Sequence, residues 1–111
     1  MSRDSQQWFA VRPIMESVRS DPSDGHKLFE DRILLVKART SDQARQKATT
    51  LAKASRHSYR TATGADVAWK FSDVLDVKSL LDETIEDGSE IYYAFLHQDE
   101  LDAVREFLRS K

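Results

Sequence analysis

The sequence predicts an α+β domain, in which a four-stranded, mainly antiparallel sheet carries two helices on one face in the order β-β-α-β-β-α. Both halves of the chain contain a pair of segments in which apolar and polar residues alternate, a pattern typical of half-buried strands. Each pair is followed by a segment with apolar residues at helical spacing. The 111 residues, 40% of them hydrophobic and 32% charged, are enough for one core. We expect residues 8–111 to form a single domain after a disordered N-terminus of residues 1–7.

Two alternating segments, residues 8–18 and 27–38, predict an antiparallel hairpin. Residues 21–25 between them are rich in turn formers. In the first strand, Phe9, Val11 and Met15 fall on one side. Pro13 lacks the N–H that a ladder needs, so it predicts an edge position or a bulge.

The first helix is predicted to begin after Thr40, which has capping-box spacing with Gln43. Its apolar face is narrow and rich in small residues, and we expect Leu51 at its centre to be buried against the sheet. The residues of that face are Ala44, Ala48, Leu51, Ala52, Ser55 and Tyr59. Gly64 is expected to follow the C-terminus of this helix.

The second half of the chain repeats the plan with two strands and a helix. Residues 67–77 alternate and then change phase, which predicts a bulge near Ser72 or Asp73. A tight turn at residues 87–88 precedes a fourth strand at residues 91–96. Asp99 is expected to cap a final helix. Its apolar face consists of Leu101, Val104, Phe107 and Leu108.

Several short motifs in this sequence are specific in combination. They are W-F-A-V-R at residues 8–12 with Glu16, L-F-E-D-R-I at 28–33, V-x-W-x-F at 67–71, V-L-D-V at 74–77 and D-G-S-E-I-Y at 87–92. Over residues 8–95 the chain resembles an uncharacterised bacterial family of domains of unknown function. The resemblance implies a prokaryotic source and a compact α+β domain, and it implies no activity for any position.

The composition excludes several classes of protein. The chain has no cysteine, which rules out disulfides, thiolate metal sites and cysteine nucleophiles and suits the cytoplasm. Its apolar runs, such as residues 33–36, are far shorter than the ~20 residues of a membrane span. We therefore expect a cytoplasmic protein without a membrane partner.

Four charged residues of the hairpin are candidates for a site. An even residue-sum register would bring Arg12, Glu16, Glu30 and Arg32 to one side of the sheet, among apolar neighbours. Buried charges are normally paired, so a structural network is the first interpretation. The alternative is a small pocket for an anionic or amide ligand, with Arg12 and Arg32 as forked donors.

A metal site and a catalytic site have less support. Carboxylates of Glu16, Glu30, Asp31 and Asp76 are oxygen ligands of the kind that magnesium or calcium prefers, but no motif unites them. The histidines, at positions 26, 57 and 97, lack the spacing of a zinc site. We expect no metal, no cofactor and no catalytic residue.

Charge is distributed unevenly along the chain. Residues 37–70 carry eight Lys/Arg against two Asp/Glu, and residues 71–111 carry four against eleven. The candidate partner surfaces are a basic stripe on the first helix, made of Arg45, Lys53, Arg56 and Arg60, and an acidic stretch containing Glu86, Asp87 and Glu90. A net charge of −2 and the lack of a recognised module argue against nucleic-acid binding.

These observations predict a small non-catalytic intracellular binding protein, whose partner is another protein or a second copy of itself. One alternative is a ligand-processing or hydrolytic enzyme that uses the hairpin charges. Another is an immunity or antitoxin-type protein whose acidic surface binds a basic partner. An open cleft at the hairpin charges would favour the enzyme, and a closed network would favour an interaction role.

Overall fold

The computed structural model describes residues 5–20, 28–55, 58–60, 64–81 and 83–110, with the side chains of all but residues 58–60. The helices and strands are β1 Gln7–Arg19, β2 Phe29–Asp31, β3 Leu34–Ala38, α1 Ser41–Ala54, β4 Ser58–Arg60, β5 Asp66–Ser79 and α2 Gln98–Arg109. The predicted α+β class is confirmed. The predicted order β-β-α-β-β-α also holds when β2 and β3 are counted together as the second strand.

All strand pairs in the sheet are antiparallel. The long strands β1 and β5 form its centre, β2 and β3 share the outer edge of β1, and β4 lies on the outer edge of β5. The gap between β2 and β3 lies opposite Pro13, which accepts a hydrogen bond from the Arg32 N–H at 3.4 Å. Because proline has no N–H to return, the ladder is interrupted there.

The pairing of β1 with β5 contains two register shifts, next to Pro13 and after Ile14. Each shift leaves one extra residue on β5, namely Leu75 and Ser72. The predicted bulge near Ser72 is therefore confirmed. Pro13 lies in a central strand beside a bulge, so the bulge, and not an edge position, accommodates it.

Helix α1 packs on one face of the sheet through a line of alanines. Thr40 Oγ1 accepts a hydrogen bond from the Gln43 N–H at 3.1 Å, which confirms the predicted N-cap. The alanines at positions 44, 48 and 52 are fully buried, at the four-residue spacing of one helix face. The core cluster under α1 consists of Phe9, Val11, Val36, Ala38, Ala44 and Ala48.

Two expectations about this helix are wrong. It ends at Ala54 with Ser55 as C-cap, so Tyr59 belongs to β4 and Gly64 follows that strand. The side chain of Leu51 is 47% exposed, because it lies beside the alanine line that faces the sheet. The helix can approach the sheet closely because the side chains between them are small. The larger side chain of Leu51 lies at the edge of this interface.

The predicted fourth strand at residues 91–96 is not observed, and that segment has no regular secondary structure. The additional strand is β4, which precedes the strand predicted at residues 67–77. We call the sheet face opposite α1 the open face. Tyr92 lies over it and bonds to side chains of both β1 and β5, so its segment crosses the face instead of extending an edge.

The second helix does not share the face that α1 covers. In the described part of the chain, no Cα atom of α2 lies within 8 Å of a Cα atom in another helix or strand, and none of its residues is buried. It begins after His97, whose N–H donates to Glu100 Oε1 at 2.9 Å, so His97 and not Asp99 is the N-cap.

Some predictions lie outside the described residues. They concern residues 1–4 of the expected disordered N-terminus, the turn at residues 21–25, and His26, Arg56 and His57.

Candidate functional site

Polar side chains from distant segments meet on the open face of the sheet. Arg12 of β1 and Asp76 of β5 are cross-strand partners, so both project from this face. Asp31 of β2 lies opposite Ile14 and shares the face, and Lys78 lies opposite Ala10. With Tyr92, which follows β5 in the chain, these residues form what we call the Arg12 cluster: Arg12, Asp31, Asp76, Lys78 and Tyr92.

Arg12 is the centre of this cluster. Its Nε donates to Asp31 Oδ1 at 2.9 Å and its Nη2 to Asp31 Oδ2, a bidentate pair. Its Nη1 donates to the Tyr92 hydroxyl at 2.8 Å. The hydrogen bond to Asp31 is the main cause that raises the pKa of Arg12 above its ordinary value; partial burial opposes it and the Tyr92 bond adds to it. Arg12 therefore remains a cation throughout the accessible pH range.

The Tyr92 hydroxyl connects Arg12 to Asp76. It accepts from Arg12 and donates to Asp76 Oδ2 at 2.9 Å. The other carboxylate oxygen of Asp76 accepts the Val77 N–H at 2.9 Å. One phenol thus joins β1, β5 and the segment after β5 in one hydrogen-bonded chain.

Lys78 holds the same segment from the other side. Its ammonium nitrogen donates to the Tyr93 carbonyl oxygen and lies 3.9 Å from Asp76 Oδ2. It also lies 5.0 Å from the centre of the Tyr92 ring and 3.9 Å from that of Tyr93. Both distances are in the range of cation–π contacts, which hold the two aromatic rings next to Lys78 on the sheet.

The chemistry of the cluster is that of a closed network. Two cations face two carboxylates, and each guanidinium nitrogen of Arg12 already donates to a protein atom. A depression of about 70 Å³ lies beside the cluster and is lined by Lys78, Leu80, Tyr92 and Tyr93 among others. Ligand pockets usually measure about 300–1,000 Å³, so this depression is small for a metabolite.

The whole cluster lies within a region that matches a family model, residues 8–93. The chain belongs to the DUF4288 family, a domain of unknown function. No curated protein and no solved structure matches the chain. Helix α2 lies beyond the DUF4288 match, so the match ends with the segment that Tyr92 and Lys78 fasten to the sheet.

The four predicted hairpin residues of this DUF4288 domain do not lie on one face. Arg12 and Glu16 share the open face, where Glu16 Oε1 lies 3.4 Å from the ammonium of Lys70. Glu30 pairs with Met15 and lies on the α1 side, where Arg32 Nη1 donates to Ser55 Oγ at 2.8 Å. The prediction of a common face is wrong because partners in the hairpin sum to 45, an odd number.

The Glu30 and Arg32 side chains form their own loose pair, with 3.8 Å between Arg32 Nε and Glu30 Oε1. Their roles in binding stay a prediction. The structure separates them from Arg12 by the thickness of the sheet, so a single pocket formed by all four residues is not present in this fold.

The basic stripe is also divided. Arg45 and Lys53 are exposed on α1, and the Lys53 ammonium lies 5.6 Å from the centre of the Phe71 ring, where its stem covers the edge of the helix–sheet interface. Arg60 belongs to β4, beyond the end of α1, and Arg56 lies outside the described residues. A partner for this surface stays a prediction.

The acidic stretch forms a tight turn. Glu86, Asp87 and Glu90 are exposed, and the Ser89 N–H donates to the Glu86 carbonyl oxygen at 2.9 Å. Gly88 has φ of 90°, a conformation that favours glycine and explains the Asp87-Gly88 sequence. A basic partner for this turn remains an expectation.

The carboxylates considered as metal ligands have other partners. Asp31 binds Arg12, Asp76 binds Tyr92, and Glu16 faces Lys70. Among the described residues, no three side chains of His, Cys, Asp or Glu are close enough together to hold a metal ion. No helix in the described ranges is long and apolar enough to cross a membrane.

Sequence reasoning found Arg12 but did not join it to Asp31, Asp76, Lys78 or Tyr92. A signal was present: Arg12, Asp31, Asp76 and Tyr92 each lie in one of the motifs that characterise the family resemblance. Motifs widely separated along a chain often meet in the fold, and here four of them meet through side chains.

Proposed function

We propose that this chain is a non-catalytic protein-binding module and that residues 94–110, here called the C-terminal arm, are its binding element. The observation that carries the proposal is the placement of α2: in the described part of the chain, none of its Cα atoms lies within 8 Å of a Cα atom in another helix or strand. Val104 and Leu108 of that side are 42% and 62% exposed. An exposed amphipathic helix is a common form of protein-recognition element.

The segment that leads into α2 supports the same interpretation. Phe95 is 90% exposed and Leu96 51%, so exposed apolar side chains also occur just before α2. Exposed aromatic and leucine side chains in one segment are characteristic of interaction sites on soluble proteins. Exposed apolar side chains also occur outside the arm, for example at Leu28, Phe29 and Ile33.

The Arg12 cluster supports an anchoring role in this scheme. It fastens Tyr92 and Tyr93 to the sheet immediately before the arm begins, through Arg12, Asp76 and Lys78. A hydrolytic or ligand-processing site would need an open cleft with groups available to a substrate. Since its charged groups already bind one another, the cluster favours the binding module over the enzyme.

A protein partner fits the arm better than a membrane does. Helix α2 carries four acidic residues against two arginines. Helices that bind anionic membrane surfaces usually carry Lys and Arg on the polar side, whereas this polar side is net negative. The apolar side is also short, because a helix of 12 residues is only about 18 Å long.

The test is site-specific photo-cross-linking in the native cell. A photoreactive amino acid at Leu108, on the apolar side of α2, is compared with the same amino acid at Asp99, on the polar side. We expect a protein adduct from position 108 and none from position 99. The absence of an adduct at 108, equal labelling at both positions, or flotation of the purified chain with anionic phosphatidylserine vesicles would overturn the proposal.

A further inference from the structure

In the part of the chain that the structure describes, β3 pairs with β1 along one edge and with no strand along the other. The direction of its backbone groups follows from Trp8, whose carbonyl oxygen accepts the Leu80 N–H at 2.9 Å on the β5 side. Trp8 and its partner Lys37 are therefore a non-hydrogen-bonded pair, because the two kinds of pair alternate along an antiparallel ladder. The backbone N–H and C=O groups of Ile33, Leu35 and Lys37 consequently point away from β1.

Most of these outward groups have no protein partner. Lys47 Nζ donates to the Lys37 carbonyl oxygen at 3.1 Å, so α1 caps the end of the edge. Among the described residues, no group bonds to the Lys37 N–H or to the N–H and C=O groups of Ile33 and Leu35. Lys37 is the one charged residue of β3. Unpaired backbone groups along an apolar edge strand are a template for pairing with another strand.

The pattern of unpaired groups matches a second copy of the same edge. In an antiparallel pair, the residues whose backbone groups face the partner strand recur every two positions. A two-fold axis through Leu35 sets this residue against its own equivalent and sets Ile33 against Lys37 of the second copy. All the unpaired groups then have partners. The Lys37 carbonyl oxygen, which already accepts from Lys47, has a second lone pair for the added bond.

The side chains favour the same register. On the α1 side, Leu34 of one copy lies opposite Val36 of the other, so only apolar side chains meet there. On the open face, Leu35 meets its equivalent and each Lys37 meets an isoleucine, so no like charges are opposed. An axis shifted to Lys37 would instead place two ammonium groups opposite one another, which destabilises a strand pair.

We propose that β3 pairs antiparallel with β3 of a second copy of this chain, about a two-fold axis at Leu35, and forms a dimer with one continuous sheet. The inference goes beyond the proposed function, because this edge does not include the C-terminal arm. The outward groups are symmetric about Leu35, and this symmetry favours a second copy over an unrelated strand as the occupant. One edge satisfies both subunits, as in other isologous contacts.

The test places charges at the axis in the purified full chain, with the dimer dissociation constant measured by sedimentation equilibrium. Leu35→Glu alone and Leu35→Lys alone each set like charges opposite one another, and each should weaken the dimer about tenfold. An equimolar mixture of the two variants sets opposite charges at the axis and should associate within about threefold of the wild-type constant. Leu51→Glu, at a half-exposed position of α1, is the matched control and should leave the constant unchanged.

A backbone variant separates pairing from folding. Because the Leu35 N–H points away from β1, Leu35→Pro removes a donor of the outer edge and none of the ladder with β1. It should abolish the dimer, whereas Leu35→Ala, which keeps the donor, should still form it. In dilute solution, where the chain is monomeric, the two variants should unfold at similar urea concentrations.

Three results would overturn the inference. The first is a wild-type chain that stays monomeric up to about 100 μM, where a weak dimer would form, even if another protein binds this edge. The second is a mixture of the Leu35→Glu and Leu35→Lys variants that associates no more tightly than either variant alone. The third is a Leu35→Pro variant that folds and still dimerises. If Leu35→Pro does not fold, the charge exchange at position 35 decides the question alone.

Discussion

The guanidinium of Arg12 donates to the hydroxyl of Tyr92 at 2.8 Å, across 80 residues of sequence. Through this contact, the last segment of the DUF4288 domain is held over the open face of the sheet. The same hydroxyl donates to Asp76, so the phenol is a bridge and not a terminal contact. The contribution of this hydroxyl to stability can be measured, because Tyr93 provides a control.

Replacing Tyr92 by phenylalanine should destabilise the fold by about 1–2 kcal/mol, since it removes one hydrogen bond from a cation and one to a carboxylate. The control is Tyr93→Phe, which keeps the Tyr93 carbonyl that Lys78 uses and should change stability by less than about 0.5 kcal/mol. Urea unfolding followed by circular dichroism measures both. Equal midpoints for the two variants would show that the bridge contributes nothing.

The ion pair between Arg12 and Asp31 should stabilise the fold more than an ordinary surface ion pair does, and less than a buried ion pair does. Arg12 is 24% exposed and Asp31 50%, so water screens the pair partly. A double-mutant cycle with Arg12→Ala and Asp31→Ala should give a coupling energy of about 1 kcal/mol.

The control cycle uses Glu106 and Arg109, an exposed pair on α2 with a distance of 2.9 Å, where the coupling should be below about 0.5 kcal/mol. A coupling energy of the Arg12 pair no larger than that of this control would contradict the central position that we assign to Arg12.

The contribution of Arg12 should not depend on pH near neutrality. Its pKa is raised in the folded state, so its stabilisation is complete below the pKa of the unfolded chain and is lost only as pH rises through the folded value. Both lie far above neutral pH. The difference in unfolding free energy between wild type and Arg12→Met should therefore be constant from about pH 6 to about pH 9. A difference that falls steadily across this range would be inconsistent with the assignment.

Substitution of a buried alanine of α1 should destabilise the fold more than substitution of the half-exposed Leu51. Ala48→Leu adds volume to a fully buried position against the sheet and should cost about 1–3 kcal/mol. Leu51→Ala removes a half-exposed side chain and should cost less than about 1 kcal/mol. Thermal and denaturant unfolding of the two variants compare them directly, and the reverse order of stabilities would show that α1 faces the sheet differently.

Local signals in the sequence were sufficient for the class of fold and for several of its details. Thr40 and Gln43 mark the start of α1, because a cap is formed within one turn of helix. The change of phase after Phe71 marks a bulge, because an extra residue shifts the alternation on its own strand. The amphipathic pattern of α2 likewise predicted a helix, since its spacing is a property of the segment itself.

Tertiary structure decided what depended on distant residues. Both sides of the second hairpin strand are apolar, with Leu34 and Val36 on one and Ile33 and Leu35 on the other, so alternation could not select the register. The core selects it by placing Val36 opposite Phe9. That choice puts Arg12 with Asp31 on the open face and sends Glu30 and Arg32 to the other.

The Arg12 cluster and the position of the C-terminal arm also depend on contacts between residues that are distant in sequence. The sequence supplied Arg12, Asp76 and Tyr92, yet only the return of the chain across the sheet brings them within hydrogen-bonding distance. The sequence likewise determined the apolar side of α2, but whether that side packs on its own sheet is a matter of long-range contacts. Among the described residues, no Cα atom of α2 lies within 8 Å of a Cα atom in another helix or strand, whereas α1 packs on the sheet.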